Sequence, residues 1–413
     1  MDWGLGIVSA GNENIGRYWR DGNSIFARLP ANGSLKDNLE NGLMQIAAQM
    51  DIKDVRSLFR GKGIVGLSTS YFLDLIRKGK GQKIGIILND RTMDALSDEE
   101  KQYLPLTGDN IAYISPSVDG QAKTGQGPDQ DEVIKAYRDL LKVGVHSVVI
   151  ALKNSSDSPE QERHIKEILT SKYPSRYLGG VPIYISSDFK TENAERDANN
   201  LSILNAYAQS GMRSYFFDME QSLKAFGYRG ALFVGNRYGK ISRWDKTRAI
   251  DTSDSVFRSA MTGAEALARK VEIKQALVLN VDSDWTCLGV IDDGDVCESE
   301  TGTVLGMPTS APSAEGVAVS GSTVSAVTEA VLRYISGKGL DLKKSVLIPA
   351  NKNAVSICGD VGSALGMKEV YTSHYSEYLS AFGMSVMVLN HFCQTEDAYI
   401  KGLDDPEIIL GVG

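Results

Sequence analysis

At 413 residues and a formal net charge of −8, the chain is long enough for two or three domains and lacks the clustered Lys and Arg that neutralise nucleic-acid phosphates. No apolar run is long enough to span a bilayer, and the first residues lack a basic stretch followed by an apolar one. A cytoplasmic protein with neither nucleic-acid nor membrane partners is expected. The four cysteines (Cys287, Cys297, Cys358, Cys393) are scattered without a C-x-x-C, which suits a reducing compartment. The four histidines (His146, His164, His374, His391) show no metal-ligand spacing.

The chain opens with GLGIVSAGNENIGRYWRDG (4–22), an apolar segment, a small polar loop, a second apolar segment and an Asp-Gly turn. That is the pattern of a hairpin whose tip can cradle a phosphate. Next, SLKDNLENGLMQIAAQM (34–50) predicts an amphipathic helix capped by Ser34, with Leu35, Leu39, Leu43, Ile46 and Met50 on one face. From residue 82 the pattern alternates. Segments 83–89, 110–116, 145–154 and 181–186 read as buried strands, and 131–144 and 158–173 as helices, the second opened by Ser158, Pro159 and Gln161. Strands joined by helices imply a mostly parallel sheet covered on both faces. The stretch 117–130 reads as an exposed loop. A helical region at 192–226, a strand at 230–236, a helix at 259–270 and a strand at 275–281 follow. The Gly/Ser/Thr/Ala/Pro-rich stretch 301–327 reads as a long loop entering a strand.

The opening pattern occurs twice. In the second copy ALVLN ends at Asn280, the loop is VDSDWT, and CLGVI leads to Asp292-Asp293-Gly294. Gly22 lies 14 positions after Val8, and Gly294 lies 14 positions after Asn280. Two equal spacings in separate halves indicate a duplicated unit. Duplicated hairpins, each opening an α/β domain, resemble the actin-like ATPase and sugar-kinase superfamily (acetate and sugar kinases, Hsp70, actin). The fold class expected is therefore α/β, two lobes around a cleft. The lobes are placed at 1–190 (hairpin 4–30, α/β part 82–190) and 191–413 (second hairpin 276–298). A Rossmann reading is disfavoured, because GLGIVS lacks the last glycine of G-x-G-x-x-G and no G-x-x-x-x-G-K-[ST] exists.

Four further segments carry a narrower resemblance. AERDANNLSILNAYAQ (194–209) follows an "ERENATILNA" pattern at Glu195, Arg196, Asn199, Leu204, Asn205 and Ala206. SPEQERHIKEI (158–168) follows "NPEHEERAAEI", ALFVGNRYGKIS (231–242) follows "PLFLTQNDGTLMS", and Ser259-Ala260-Met261-Thr262-Gly263 falls on an "SGPA"-type loop. In order along the chain, these make it similar to the A-type subunit of the hydantoinase/oxoprolinase family. The resemblance implies ATP bound in the cleft with magnesium, and activation of a cyclic amide for hydrolysis or, in related complexes, carboxylation of a ketone. It also implies a B-type subunit as partner, with a homo-oligomer as the alternative.

The departures fall on the chemistry. The family's first phosphate loop, roughly D-x-G-G-T-x-T-D, falls on residues 8–15, where Val8 and Ile15 replace both acids and Ala10 one glycine. The second falls on residues 280–287, where Asn280 and Cys287 replace both acids and Asp282-Ser283 the glycine pair. Acids at Asp282 and Asp284 set negative charge against phosphates unless a metal lies between. The family's G-T-T-H-F-T-N stretch falls on residues 68–74, keeping hydroxyls and one aromatic, and its adenosine loop falls near 351–366. By resemblance the cleft positions are Ser9, Gly11, Asn12, Asn14, Thr69, Ser283, Thr286 and Gly359, and the metal candidates are Asp282 and Asp284. Carboxylates two apart on a loop can share a hard cation, but a solvated loop is the commoner reading. Asn12 and Asn14 serve either a ligand or local turn bonding. No catalytic residue is assigned. The expectation is an A-type subunit that has lost ATP hydrolysis and acts as a structural or regulatory subunit. An active cyclic-amide hydrolase or carboxylase with rewired loops, and a small-molecule sensor, stand as alternatives.

Overall fold

The computed structural model describes residues 2–410 except 11–12, 21–22, 31–33, 91–103, 105, 116–128, 154, 156–158, 175–179, 190–194, 282–284, 300–301, 306, 310–312, 315, 321–322, 337–339 and 393–407. Three antiparallel strands, β1 (Trp3–Ala10), β2 (Glu13–Arg20) and β3 (Asn23–Pro30), open the chain. They share a sheet with β4 (Gly63–Thr69), β9 (Leu232–Gly235) and β10 (Ile241–Arg243) in the order β10-β9-β4-β1-β2-β3. Strand β4 runs parallel to β1, and β9 parallel to β4. Strands from beyond residue 190 thus complete the first sheet, so the lobe boundary expected there does not coincide with the sheet boundary.

The alternation in WGLGIV explains how β1 is buried on both faces. Trp3, Leu5 and Ile7 enter the main core, where Trp3 stacks on Tyr18 at 6.1 Å and meets Phe59 edge-on at 5.4 Å. The other face must lie against helix backbone. A Cβ on Gly6 would sit 2.7 Å from Ser385 Oγ and 2.9 Å from Ala381 O, so only glycine fits. Helix α1 (Leu35–Gln49) covers the Trp3 face. Its Ser34 cap accepts from Asp37 N, and Leu43, Ile46 and Ala47 are buried with Leu35, Leu39 and Met50 packed beside them.

After β4 comes α2 (Tyr71–Arg77), then four parallel strands: β5 (Ile84–Leu88), β6 (Ile111–Tyr113), β7 (Ser147–Ile150) and β8 (Ile183–Ile185), in the order β6-β5-β7-β8. Helices α3 (Gln130–Lys142) and α4 (Pro159–Lys172) cover one face, burying Ile87, Val148 and Ile150 with Val133, Tyr137, Ile165 and Leu169. The long helix α5 (Glu195–Ala225) serves the other, with Leu204 and Tyr207 in one core with Ile84, Ile86 and Val149. The parallel sheet covered on both faces is thus as expected. Ser158, the expected cap of α4, lies outside the described residues.

After helix α6 (Ser255–Lys270) the second half repeats the first. Strands β11 (Ala276–Val281), β12 (Trp285–Asp292) and β18 (Gly316–Ser320) are antiparallel neighbours, while β19 (Val346–Pro349) and β20 (Glu369–Ser373) run parallel to β11 and to each other in turn. The order β18-β12-β11-β19-β20 matches β3-β2-β1-β4-β9 in position and sense. Short strands β13 (Asp295–Val296) and β21 (Ile408–Leu410) extend the edges of the second sheet. Within 301–327, read from sequence as a loop, the described residues form two narrow ribbons. Strand β14 (Glu298–Ser299) pairs with β17 (Ser313–Ala314), and β15 (Gly302–Val304) with β16 (Met307–Thr309). Val304 of this excursion is buried in the first half's core. Helices α7 (Val324–Ile335) and α8 (Lys352–Ala364) pack against the second sheet.

The halves exchange helices. Helix α9 (Leu379–Phe392), which follows the second sheet, lies on the first: Met384 and Val388 would each be 2.7 Å from a Cβ on Gly66. Helix α6, which follows the first sheet, lies on the second, where Met261 covers Gly289. The two helices touch along glycines, since a Cβ on Gly383 would collide with the Ser259 carbonyl and lie 2.6 Å from Gly263 N. The described chain has the duplicated two-lobe architecture of the actin-like ATPase fold.

Candidate functional site

At the end of the first hairpin, Asn14, Ser9 and Thr69 lie abreast on β2, β1 and β4. Ser70 N donates to Ser9 O at 3.0 Å, tying the end of β1 to the start of α2. Tyr71 stacks on Tyr215 of α5, the ring centroids 4.4 Å apart and the rings inclined by 19°. Burial pushes the Tyr215 phenol up, and the Ser9 and Thr69 hydroxyls beside it pull it back.

The hydroxyls on β4 face inward and bond to the fold. Ser68 Oγ lies 2.5 Å from Ser259 Oγ, and Ser259 Oγ donates to Ser255 O at 2.7 Å. Thr69 N donates to Ser255 Oγ, which donates in turn to Thr69 O, each at 3.1 Å. Thr69 Oγ1 accepts from Tyr71 N at 3.1 Å. With Ser68 and Thr69 buried, these groups clamp β4 to α6, and Ser9 and Asn14 remain as the half-buried polar side chains of this corner.

One residue inward, the two acid positions meet. Val8 pairs with Ile15 across β1 and β2, and both belong to an apolar cluster with Ile241, Ala381, Met384, Met387 and Val388. A magnesium ion needs oxygen ligands, and a phosphate needs donors or cations. Neither requirement is met by this set, so the described residues at the first acid positions do not fit a magnesium–nucleotide group.

The second corner is built differently. Asn280 faces Cys287 and Val281 faces Thr286 across β11 and β12, with Asn280 half-buried and the other three buried. The end of β11 is held by a side chain: Asn351 Nδ2 donates to Val281 O at 2.7 Å, and its Oδ1 accepts from Val281 N at 3.3 Å and Ala354 N at 2.9 Å. Asn353 Nδ2 also donates to Val281 O, at 3.2 Å. Asn351 thus caps α8 and fixes the strand that leads into the second loop. Gly359 sits in the middle of α8 on its exposed side, about 12 Å along the axis from the cap. It does not join the corner. Gly11, Asn12, Asp282, Ser283 and Asp284 lie outside the described residues, among which no three His, Cys, Asp or Glu converge as a metal set.

Sequence reasoning missed Tyr215 and Ser255, and it placed Ser259 in an "SGPA"-type loop and Asn351 at the start of the adenosine loop, whereas here they bond β4 and β11. Asn351 also left a local signal, as an Asn between an apolar strand and a helix. The segments that carried the resemblance are scaffold. Buried Glu162 accepts from Leu152 N (2.9 Å), Ser186 Oγ (2.7 Å) and Ser187 N (2.8 Å), bonds that counter the upward push of burial on its carboxyl. Asn205 Oδ1 accepts from Ile250 N at 3.3 Å. The side chains of Glu195 and Arg196 lie outside the described residues.

Residues 18–173 match the hydantoinase/oxoprolinase N-terminal region. That match covers less than half of the chain. The chain is 22% identical over 167 residues to the acetone carboxylase beta subunit of Xanthobacter autotrophicus (strain ATCC BAA-1158 / Py2). That alignment covers 40% of this chain and 23% of the relative. Two solved structures share the fold. One is a nucleotide-free acetone carboxylase (TM-score 0.78, 16% identity) and the other the ATP-dependent caprolactamase from Pseudomonas jessenii (TM-score 0.78, 14% identity). Each covers 93% of this chain and 70% of its own. The likeness to hydantoinase/oxoprolinase proteins thus rests on the N-terminal sequence, and the shared fold on the two solved structures.

Proposed function

We propose that this chain is an A-type hydantoinase/oxoprolinase subunit that has given up ATP hydrolysis and serves as a structural or regulatory subunit of a cyclic-amide hydrolase or ketone carboxylase-type complex, in the cytoplasm. The observation that carries this is the Val8–Ile15 pair, sealed under Met384 and Met387 where the family places acids. A carboxylate there would be desolvated with no partner. The bonds at Ser68, Thr69 and Asn351 support the same reading, since the residues that survive near the cleft hold the scaffold. The partner is proposed to be a B-type subunit, in keeping with a relative that is itself named a subunit.

A magnesium-dependent ATPase assay on the purified chain tests this, with no turnover above background as the expected result. Turnover abolished by Asp282→Ala or Asp284→Ala overturns it. The second reading, an active ATP-dependent lactam hydrolase or carboxylase with rewired loops, draws on the names of the two structural neighbours. Magnesium-ATP raising the melting temperature would favour it, because a ligand that binds only the folded state stabilises by mass action.

A further inference from the structure

Away from both hairpins, a cavity of about 630 Å³ opens between the N-terminal edge of the parallel sheet and the middle of α5. Its volume falls within the range of small-molecule sites. His146 leads into β7, Tyr184 lies on β8, and Arg213 and Ser210 come from α5. Among the described residues no Asp or Glu lines it, although the whole chain carries a net charge of −8. Arg213 is exposed, and among the described residues no carboxylate pairs with it. It lies near enough to Tyr184 to oppose the upward push of burial on that phenol. Lys224 of the same helix differs, as its ammonium is held by Glu220 at 2.7 Å.

The remaining polar groups divide into those already used and those available. Gln82 donates its amide to Ser147 Oγ (3.0 Å) and Ala206 O (2.6 Å), and Gln209 accepts from Ala249 N (2.8 Å), so both amides brace the walls. Arg213, His146, Tyr184 and Ser210 complete the lining, and no hydrogen bond among the described residues engages their side chains. That is a donor-rich set around one fixed positive charge. Pro182 and the Tyr184 ring add an apolar wall.

We propose that this cavity is a binding site for a small organic carboxylate with a short apolar or aromatic body. Arg213 takes the carboxylate through its planar fork, Tyr184 and Ser210 donate to the same oxygens, and the body lies along Pro182 and the Tyr184 ring. A planar monoanion matches one guanidinium fork. A phosphate dianion would call for more cations or a nest of backbone N–H groups, and the lining supplies one Arg and no Lys. The site is independent of whether the hairpins bind a nucleotide. It shares α5 with Tyr215, so an occupant reaches the helix that also supports the first corner.

Calorimetric titration of the full chain with benzoate, acetate, succinate and inorganic phosphate tests the proposal. Saturable benzoate binding at one site is expected, at least tenfold tighter than phosphate. Arg213→Ala should weaken it at least tenfold and Arg213→Lys by less, because an ammonium keeps the charge without the fork. Tyr184→Phe should weaken it several-fold. Since Arg213 is exposed, its variants should melt with the wild type; if the alanine variant does not, the lysine variant and Tyr184→Phe carry the test. Binding unchanged in these variants, phosphate equal to or tighter than benzoate, or no saturation by any of the three carboxylates would each overturn it.

Discussion

The two hairpins have the same strand order, sense and spacing, yet the positions where the resemblance places acids are filled in different ways. In the first, Val8 and Ile15 have become part of the core, closed over by α9. In the second, Asn280 is still half-buried and polar, and the strand end is held by the Asn351 side chain rather than by backbone alone. The first corner has therefore been absorbed into packing, while the second keeps a polar surface. Two copies of one unit can differ in how readily they would accept an acid, even when their departures in sequence look alike.

Placing acids there separates the two most strongly. Val8→Asp would bury a carboxylate among Met384, Met387 and Ile241, and should cost roughly 4 kcal/mol or more, read as a large fall in denaturation midpoint or failure to fold. Asn280→Asp, at a half-buried polar position, should stay within about 1 kcal/mol of wild type. Equal costs at the two sites would break the comparison. Gly383→Ala forces α6 and α9 apart at their shared seam and should cost about 3 kcal/mol, with a single unfolding transition for both halves. Next in size is Asn351→Ala, which removes a cap and both bonds to Val281. It should cost about 2 kcal/mol, against about 1 kcal/mol for Ser34→Ala, whose exposed cap holds only α1.

The smallest effect concerns the first half alone. Tyr228 OH donates to Ala231 O at 2.8 Å and accepts from Val65 N at 3.3 Å, and burial raises its pKa from 10.0 to about 12. The unfolded phenol releases its proton near 10 and the folded one near 12. In that window the unfolded state binds fewer protons, so the contribution is whole below pH 10 and is lost as pH rises to 12. Tyr228→Phe should cost about 1 kcal/mol at neutral pH and flatten the alkaline limb of a stability–pH curve.

Much of this was legible in the sequence. The equal hairpin spacing, the apolar face of α1 and the alternation of strands with helices all follow from local periodicity, and each stands in the structure. What depended on long-range partners was hidden. The four-residue β9 joins a sheet begun more than 160 positions earlier, and nothing local marks that pairing. The ribbons in 298–314 are too short for a period-2 signal. At the candidate site, Asn14 and Ser9, cleft positions by resemblance, face each other across β1 and β2, whereas Gly359, assigned by the same resemblance, lies in the body of helix α8. The inward bonds of Ser68 and Thr69 were invisible, because a hydroxyl that grips a helix and one that awaits a ligand are spelled alike.

The exchange of α6 and α9 has a consequence for how this molecule holds together. Helices α6 and α9 lie between the two sheets and each packs on both, so neither half carries a complete interior of its own. A chain cut between α6 and β11 would yield two fragments, each with an uncovered apolar sheet face and a helix stripped of buried neighbours. The repeated topology is therefore joined by mutual dependence rather than present as two separable copies.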